Sequence, residues 1–243
     1  MCFNSFNNSK AYIILADEDY KVFEKVDGIF QKYAKSIGGK EVQIPALITK
    51  EHLRRCGYFR TFPQHITIAA HIKPRNYEAV SEQMSVEQDD IVCEDFYFTP
   101  AACLHIYPTL ENKNINENII TTKARVYRYE SKQYDGTTRL WDFTVREIVF
   151  IGSPEFVKRN LKEAEDYAIQ IAHLLGLEGQ LVCATDHFYP TSRNKVREKI
   201  QLANDLKTEL VVKIEEKEVA IASFNYHNTH FSAEYNFDKN GQI

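Results

Sequence analysis

Residues 123–152 read KARVYRYESKQYDGTTRLWDFTVREIVFIG and predict two antiparallel strands joined by a polar turn. In the first strand Arg128 and Glu130 share a face, and Asp135-Gly136 supplies the turn. One face of the second strand carries Trp141, Phe143, Val145, Glu147, Val149 and Ile151. Because Glu147 is the one charged residue in this apolar row, we expect its carboxylate to be paired, hydrogen-bonded or bound to a metal.

Composition favours a soluble cytoplasmic protein. The chain has 243 residues with 44% apolar content, enough for a single domain spanning residues 1–243. The net charge of −4 argues weakly against nucleic acid as the main partner. The five cysteines are scattered and form no CxxC pair, which fits a reducing compartment. Neither a signal peptide nor an apolar run of about 18 residues is recognisable.

The rest of the chain alternates helical and extended patterns. Apolar spacing predicts helices over Glu18–Ile37, Lys50–Cys56, Pro74–Ser85, a stretch from Pro154 to Gly176, and Ser192–Leu206. Strands are predicted over Glu41–Leu47, Ile91–Thr99, Gln180–Ala184, Glu209–Ile214 and Val219–Phe224. Since the strands come in antiparallel pairs with helices between them, the predicted fold class is α+β, an antiparallel β-sheet flanked by helices.

The hairpin resembles motif 2 of the class II aminoacyl-tRNA synthetase catalytic domain. Arg128-x-Glu130, the turn-rich loop, and then Arg139, Phe143 and Glu147 carry that resemblance. More narrowly, the chain resembles the amino acid:carrier-protein ligases, relatives of the atypical zinc-dependent seryl-tRNA synthetases. The segments that match are CGYFRTFPQH (56–65), PAACLHIYP (100–108), REIVFIG (146–152), ATDHFYP (184–190) and ASFNYHNTHF (222–231).

The resemblance implies a two-step reaction. ATP, with Mg²⁺, and a small amino acid give an aminoacyl adenylate, and the phosphopantetheine thiol of a carrier protein then takes the aminoacyl group. Arg128 would be catalytic and bind the α-phosphate, where a fixed guanidinium stabilises developing charge. Glu130 would accept from the adenine amino group, Phe143 would stack on the ring, and Arg139 would be a second phosphate contact. Asn225 and His227 would lie near the substrate.

The resemblance also implies a zinc ion held by Cys, Glu and Cys, with the substrate amine in the open position. Cys103 matches the first ligand and Glu147 the second. The family's third cysteine and its Gly-x-Gly-x-x-Arg motif 3 have no counterpart, because no Cys or Arg follows Arg197. Cys183, His105 and His227 stay open as alternative third ligands.

The missing motif 3 leaves two expectations open, a truncated or split ligase and a catalytically inactive relative. Either predicts an exposed apolar patch where the missing helix and strand would cover the sheet. The partners implied are a small amino acid and a phosphopantetheinylated carrier protein, without tRNA or membrane, and a homodimer formed through residues 18–47. A seryl-tRNA-synthetase-like tRNA ligase and a non-catalytic binding or regulatory module are the competing functions.

Each candidate residue also has an ordinary structural interpretation. Cys103 could be a small buried thiol. Glu147 could pair with Arg125 or Arg146 instead of a metal. Arg128 and Glu130 could form a surface ion pair of little energetic value. Asn225 and His227 could cap a strand end. The basic run Arg193–Lys199 could be a solvated helix face or a docking surface for an acidic carrier protein.

Overall fold

The computed structural model describes residues 11–130, 134–214 and 216–237 as an α+β fold. The helices are α1 Asp17–Ser36, α2 Lys50–Arg55, α3 Tyr58–Thr61, α4 Tyr77–Gln83, α5 Pro154–Leu174, α6 Ser192–Ala203 and α7 His230–Tyr235. The strands are β1 Lys40–Glu41, β2 Leu47–Thr49, β3 Ile68–Ile72, β4 Ile91–Phe98, β5 Asn118–Tyr127, β6 Asp142–Ile151, β7 Gly179–Cys183, β8 Lys207–Ile214 and β9 Lys217–Asn225. The predicted fold class is confirmed.

The strands form three three-stranded sheets, in the orders β1-β5-β6, β2-β4-β3 and β7-β8-β9. All pairings are antiparallel except β1 with β5, which is parallel. The predicted hairpin is confirmed as β5 and β6, which pair without a break from Asn118↔Ile151 to Tyr127↔Asp142. This long ladder fixes which side chains share a face, and therefore positions the candidate site.

Two long helices pack on this framework. Helix α5 begins at Pro154 with the Ser153 side chain accepting from the Phe156 amide, a standard N-cap arrangement. Its buried side joins the first sheet to the third. Helix α1 lies beside it, with Tyr33 stacked on Tyr167 at a ring-centroid distance of 4.2 Å. The main core lies between these helices, β5, β6 and α7.

Two parts of the sequence-based assignment are wrong. The single strand predicted over Glu41–Leu47 is instead β1 and β2, which belong to different sheets, with Pro45 in the irregular stretch between them. Proline lacks the amide that a continuous ladder requires, so the chain can cross from one sheet to the next there. Strand β3 was not predicted; only Ile68–Ile72 form it, and they show no clean alternation of burial.

The predicted exposed apolar patch stays a prediction. On the third sheet Ile214 and Ile221 stand 44% and 46% exposed, while Phe143 and Val145 on β6 are only partly covered. The turn predicted near the C-terminus and the loosely ordered N-terminal residues lie outside the described residues. Among the helices described, none combines the length and apolarity that crossing a bilayer requires.

Candidate active site

Arg128 lies just beyond the end of β5, where its backbone amide still bonds to the Trp141 carbonyl. Its Nε donates to the Pro100 carbonyl at 2.8 Å, and its guanidinium carbon sits 5.5 Å from the centroid of the Phe143 ring. Within the described part of the chain, Arg128 forms no ion pair with a carboxylate. The guanidinium is therefore held in place by a neutral carbonyl and an aromatic face, and it keeps its charge free for an anion.

Glu130 and Arg139 form an ion pair across the hairpin loop, with 23% and 47% of their side chains exposed. The ion pair between Arg128 and Glu130 considered from the sequence is therefore not formed. The loop is organised by Asp135, whose carboxylate accepts from the amides of Thr137, Thr138 and Arg139 and from the Thr138 hydroxyl. Although burial raises the pKa of Asp135, these hydrogen bonds outweigh it and hold the pKa well below the ordinary value.

Glu147 lies in the middle of β6, opposite Thr122 on β5. Its Oε1 accepts from the Ala102 amide at 2.7 Å, and its Oε2 accepts from the Cys103 amide at 2.8 Å. These amides begin a short 3₁₀ helix, Ala102–His105. The carboxylate thus caps a helical turn with both oxygens, which explains a charge in an apolar row.

The pairing of Glu147 with Arg125 or Arg146, considered from the sequence, is not observed. Arg125 is bound by Asp142 on the neighbouring strand. Arg146 is bound by Asp27 on α1 and by Glu41 on β1. Glu147 therefore depends on backbone amides rather than on a basic side chain.

Cys103 is adjacent to Glu147, as the zinc assignment requires. Burial raises the pKa of the Cys103 thiol, and the neighbouring Glu147 carboxylate raises it further, while a hydrogen bond with Tyr107 opposes the shift. The protein alone therefore favours a neutral thiol at this position. No group of three or more His, Cys, Asp or Glu side chains suited to a metal occurs among the residues described. The two predicted donors are together, but a complete three-ligand site is not assembled in the described chain.

The alternative third ligands are placed differently from one another. His105 hydrogen-bonds Thr99 at 2.8 Å, and Cys183 is exposed and donates to Asp205. His227 follows β9, and its ring lies 6.5 Å from that of Tyr107, the residue that contacts Cys103. Among the contacts described for these three residues, His227 is the one that shares a neighbour with Cys103, because both contact Tyr107. Asn225, at the end of β9, donates to the Ser223 hydroxyl.

Two residues near Arg128 were not named from the sequence, although both lie in the matching segment CGYFRTFPQH. The His65 carbonyl accepts from the Tyr129 amide, next to Arg128. Burial, with the nearby Arg128 charge, lowers the pKa of His65 to about 4, so its ring is neutral at pH 7. Tyr58 is buried, and burial raises its pKa although the Arg128 charge opposes the shift. A motif match marks such a segment, but only the fold shows which of its side chains face the arginine.

Comparison with known sequences supports the motif-based resemblance. No family model matches the chain. The type-2 serine–tRNA ligase of Methanocaldococcus jannaschii is 28% identical over 222 residues, covering 84% of this chain and 43% of the relative. The amino acid–[acyl-carrier-protein] ligase 1 of Bradyrhizobium diazoefficiens is 28% identical over 220 residues, covering 86% of this chain and 66% of the relative. The chain thus spans about half to two thirds of these relatives' length.

Comparison with solved structures identifies the fold. M. kandleri seryl-tRNA synthetase, in a complex with A. aeolicus tRNASec, superposes with a TM-score of 0.73 at 21% identity, covering 90% of this chain and 47% of that one. A threonyl-tRNA synthetase structure from Cryptosporidium parvum gives a TM-score of 0.64 at 13% identity, covering 98% and 62%. The predicted class II aminoacyl-tRNA synthetase-like fold is confirmed.

Proposed function

We propose that this chain, a class II synthetase-like domain whose homologues are type-2 seryl-tRNA ligases and amino acid–acyl-carrier-protein ligases, binds ATP with Mg²⁺ and activates a small amino acid. The product is an aminoacyl adenylate, and pyrophosphate leaves. The phosphopantetheine thiol of a carrier protein then attacks the aminoacyl carbonyl and releases AMP. The observation that carries this proposal is the guanidinium of Arg128, which lies beside Phe143 and has no carboxylate partner among the described residues.

Arg128 suits the first step because negative charge concentrates on the α-phosphate when the amino acid carboxylate attacks it. A guanidinium already fixed by the Pro100 carbonyl needs little reorganisation to bind that charge. Phe143 would stack on the adenine ring. Glu130 would accept from the adenine amino group, and Arg139, which pairs with Glu130, would hold that carboxylate in place.

Of the three zinc ligands that the resemblance implies, only the first two, Cys103 and Glu147, are brought together in the described chain. When bound, Zn²⁺ would select a substrate with a neutral amino group at its open position. Cys103 and Glu147 are in contact, but both Glu147 oxygens accept backbone amides, and the described residues supply no third ligand. The residues present therefore do not complete the metal site, and we assign no step to it.

The surface of α6 supports a carrier protein as the partner. The helix exposes Arg193, Lys195 and Lys199 together with Val196 and Ile200, which are 55% and 50% exposed. A basic helix with an apolar stripe complements an acidic helical protein, since opposite charges steer association and apolar contacts hold the complex. The sequence similarity to amino acid–[acyl-carrier-protein] ligases independently supports a carrier protein as the partner.

The test is amino-acid-dependent exchange of labelled pyrophosphate into ATP. We expect exchange with glycine or alanine, and a loss of about 10²–10³-fold for Arg128→Ala, because a transition-state arginine commonly contributes ~2–4 kcal/mol. Arg125→Gln is the matched control, since Arg125 lies on β5 three residues before Arg128 but pairs with Asp142 at the surface. ATP binding without exchange for any amino acid would refute the enzyme and favour a non-catalytic module.

A tRNA ligase is the second candidate, favoured by the match to the M. jannaschii serine–tRNA ligase. The acidic net charge of −4 weighs against it, because tRNA binding requires an extended basic surface. An aminoacyl adenylate can react either with tRNA or with the phosphopantetheine thiol of a carrier protein. Transfer of labelled serine to tRNA, with none to a phosphopantetheinylated carrier, would replace the carrier proposal.

A further inference from the structure

Three arginines surround a surface groove between α3 and α6. The groove has a volume of about 370 Å³, and its lining includes Arg60, Arg193 and Arg197 together with the aromatic rings of Phe59 and Tyr189. Arg60 belongs to α3, and the other two belong to α6. The charges thus come from chain segments more than 100 residues apart, which the fold brings to one place.

None of these three arginines forms an ion pair with a carboxylate in the described parts of the chain. Burial lowers the pKa of Arg197, and the positive charges of Arg193 and Arg60 lower it further. The nearby Arg55 differs, because Glu111 and Glu234 both bind it. Repulsion between like charges is unfavourable unless an anion offsets it, so the groove is suited to an anionic ligand.

The buried side chain of Asn194 links the backbone of α3 to that of α6, the two helices that carry these arginines. Its Nδ2 donates to the Arg60 carbonyl at 3.0 Å and to the Tyr189 carbonyl at 2.8 Å, so it ties the end of α3 to the start of α6. Only 2% of Asn194 is exposed. The backbone segments that carry the arginines are therefore fixed relative to one another, which keeps the three side chains around one groove.

We propose that Arg60, Arg193 and Arg197 bind the phosphate group of the phosphopantetheine arm. This inference rests on the proposed function and gives it a specific substrate contact. Guanidinium groups recognise phosphate oxygens through paired N–H donors, and three of them suit a single phosphate. A compact cluster on an acidic chain fits one phosphate ester better than an RNA backbone, which engages many charges along a surface.

The groove is linked to the neighbourhood of Arg128 through the backbone that follows α3. Pro63 lines the groove, and the carbonyl of His65, two residues later, accepts from the Tyr129 amide next to Arg128. An arm anchored at the groove would therefore begin close to the segment that contacts the proposed adenylate site.

The test is calorimetric titration of the full chain with 4′-phosphopantetheine and with pantetheine, which lacks the phosphate. We expect the phosphorylated compound to bind roughly 10-fold more tightly or better. Arg60→Gln and Arg197→Gln should each weaken it about 10-fold, while leaving pantetheine binding unchanged. Arg75→Gln removes the same charge from an exposed position outside the groove and should change affinity by less than about 2-fold. Thermal unfolding of each variant checks that it folds.

Equal affinity for pantetheine and its phosphate would overturn the proposal, as would a loss of affinity in Arg75→Gln as large as that in the groove variants. Competition by short RNA that strengthens with RNA length would instead indicate a nucleic-acid surface. The titration contains no ATP or amino acid, so its outcome is separate from pyrophosphate exchange. Pyrophosphate exchange without phosphate-dependent binding of phosphopantetheine would refute only the phosphate site. Phosphate-dependent binding without pyrophosphate exchange would refute only the adenylation proposal.

Discussion

Glu147→Gln is expected to destabilise the chain, because the wild-type carboxylate accepts two backbone amides at 2.7 and 2.8 Å. Glutamine keeps one acceptor oxygen but places an NH₂ group opposite the second amide. One charge-assisted hydrogen bond is lost and one partly buried N–H is left without an acceptor, so we expect a cost of about 2 kcal/mol. For a chain of this size that corresponds to a decrease in Tm of about 4–8 °C.

Urea and thermal unfolding followed by circular dichroism would measure this change. Glu94→Gln is the matched control, because that carboxylate is 61% exposed and pairs with the exposed side chain of His71, so its loss should cost less than about 0.5 kcal/mol. A Glu147→Gln variant no less stable than this control would refute the assignment of Glu147 as a cap for the 3₁₀ helix.

The same variant separates the cap from the metal interpretation. If Glu147 acts only on the amides, zinc should leave the stability of the wild-type chain unchanged. If it is a zinc ligand, free zinc at about 100 times its Kd should stabilise the wild-type chain by about 2.7 kcal/mol. That gain should disappear in Cys103→Ala and in Glu147→Gln.

Two further predictions concern pH and packing. The pKa of His65 is lowered to about 4 in the folded chain, against about 6.5 when unfolded, so the folded state binds fewer protons between these values. Stability should therefore be full above pH 6.5 and fall as the pH drops from 6.5 to 4, and His65→Gln should flatten that decline in urea-unfolding measurements; an unchanged slope would contradict this. Asn194→Ala should lower the free energy of unfolding by about 1–3 kcal/mol, because its hydrogen bonds to the Arg60 carbonyl of α3 and to the Tyr189 carbonyl ahead of α6 are lost. An Asn194→Ala variant with an unchanged free energy of unfolding would show that the contact between α3 and α6 does not depend on the Asn194 side chain.

Local pattern was sufficient to predict the hairpin and the long helices. Alternation and the Asp135-Gly136 turn identified β5 and β6, and helical spacing with a proline at the start identified α5. The hairpin also showed that Glu147 was unusual, since a period of two fixes which residues share a face. These features depend on neighbours within a few positions, which a sequence displays directly.

The partners of the site residues could not be predicted in the same way. Glu147 binds amides that lie 44 and 45 positions away, and amides carry no residue-type signal. The groove beside α3 likewise joins Arg60 to Arg193 and Arg197, and their sequence separation hides the cluster. The sequence offered Arg125 and Arg146 as partners for Glu147 because charge type is visible in a sequence, whereas tertiary distance is not.

The segment Thr99–His105 has a consequence for how the chain can change length during evolution. Thr99 bonds to Ala46 and Tyr127 through its backbone, Pro100 holds Arg128, and the next amides hold Glu147. One inserted or deleted residue there would shift all of these contacts at once. Residues 84–86 stand in solvent, with Met84 90% exposed. Gaps between homologous chains should therefore accumulate near Met84 and be rare between Thr99 and His105.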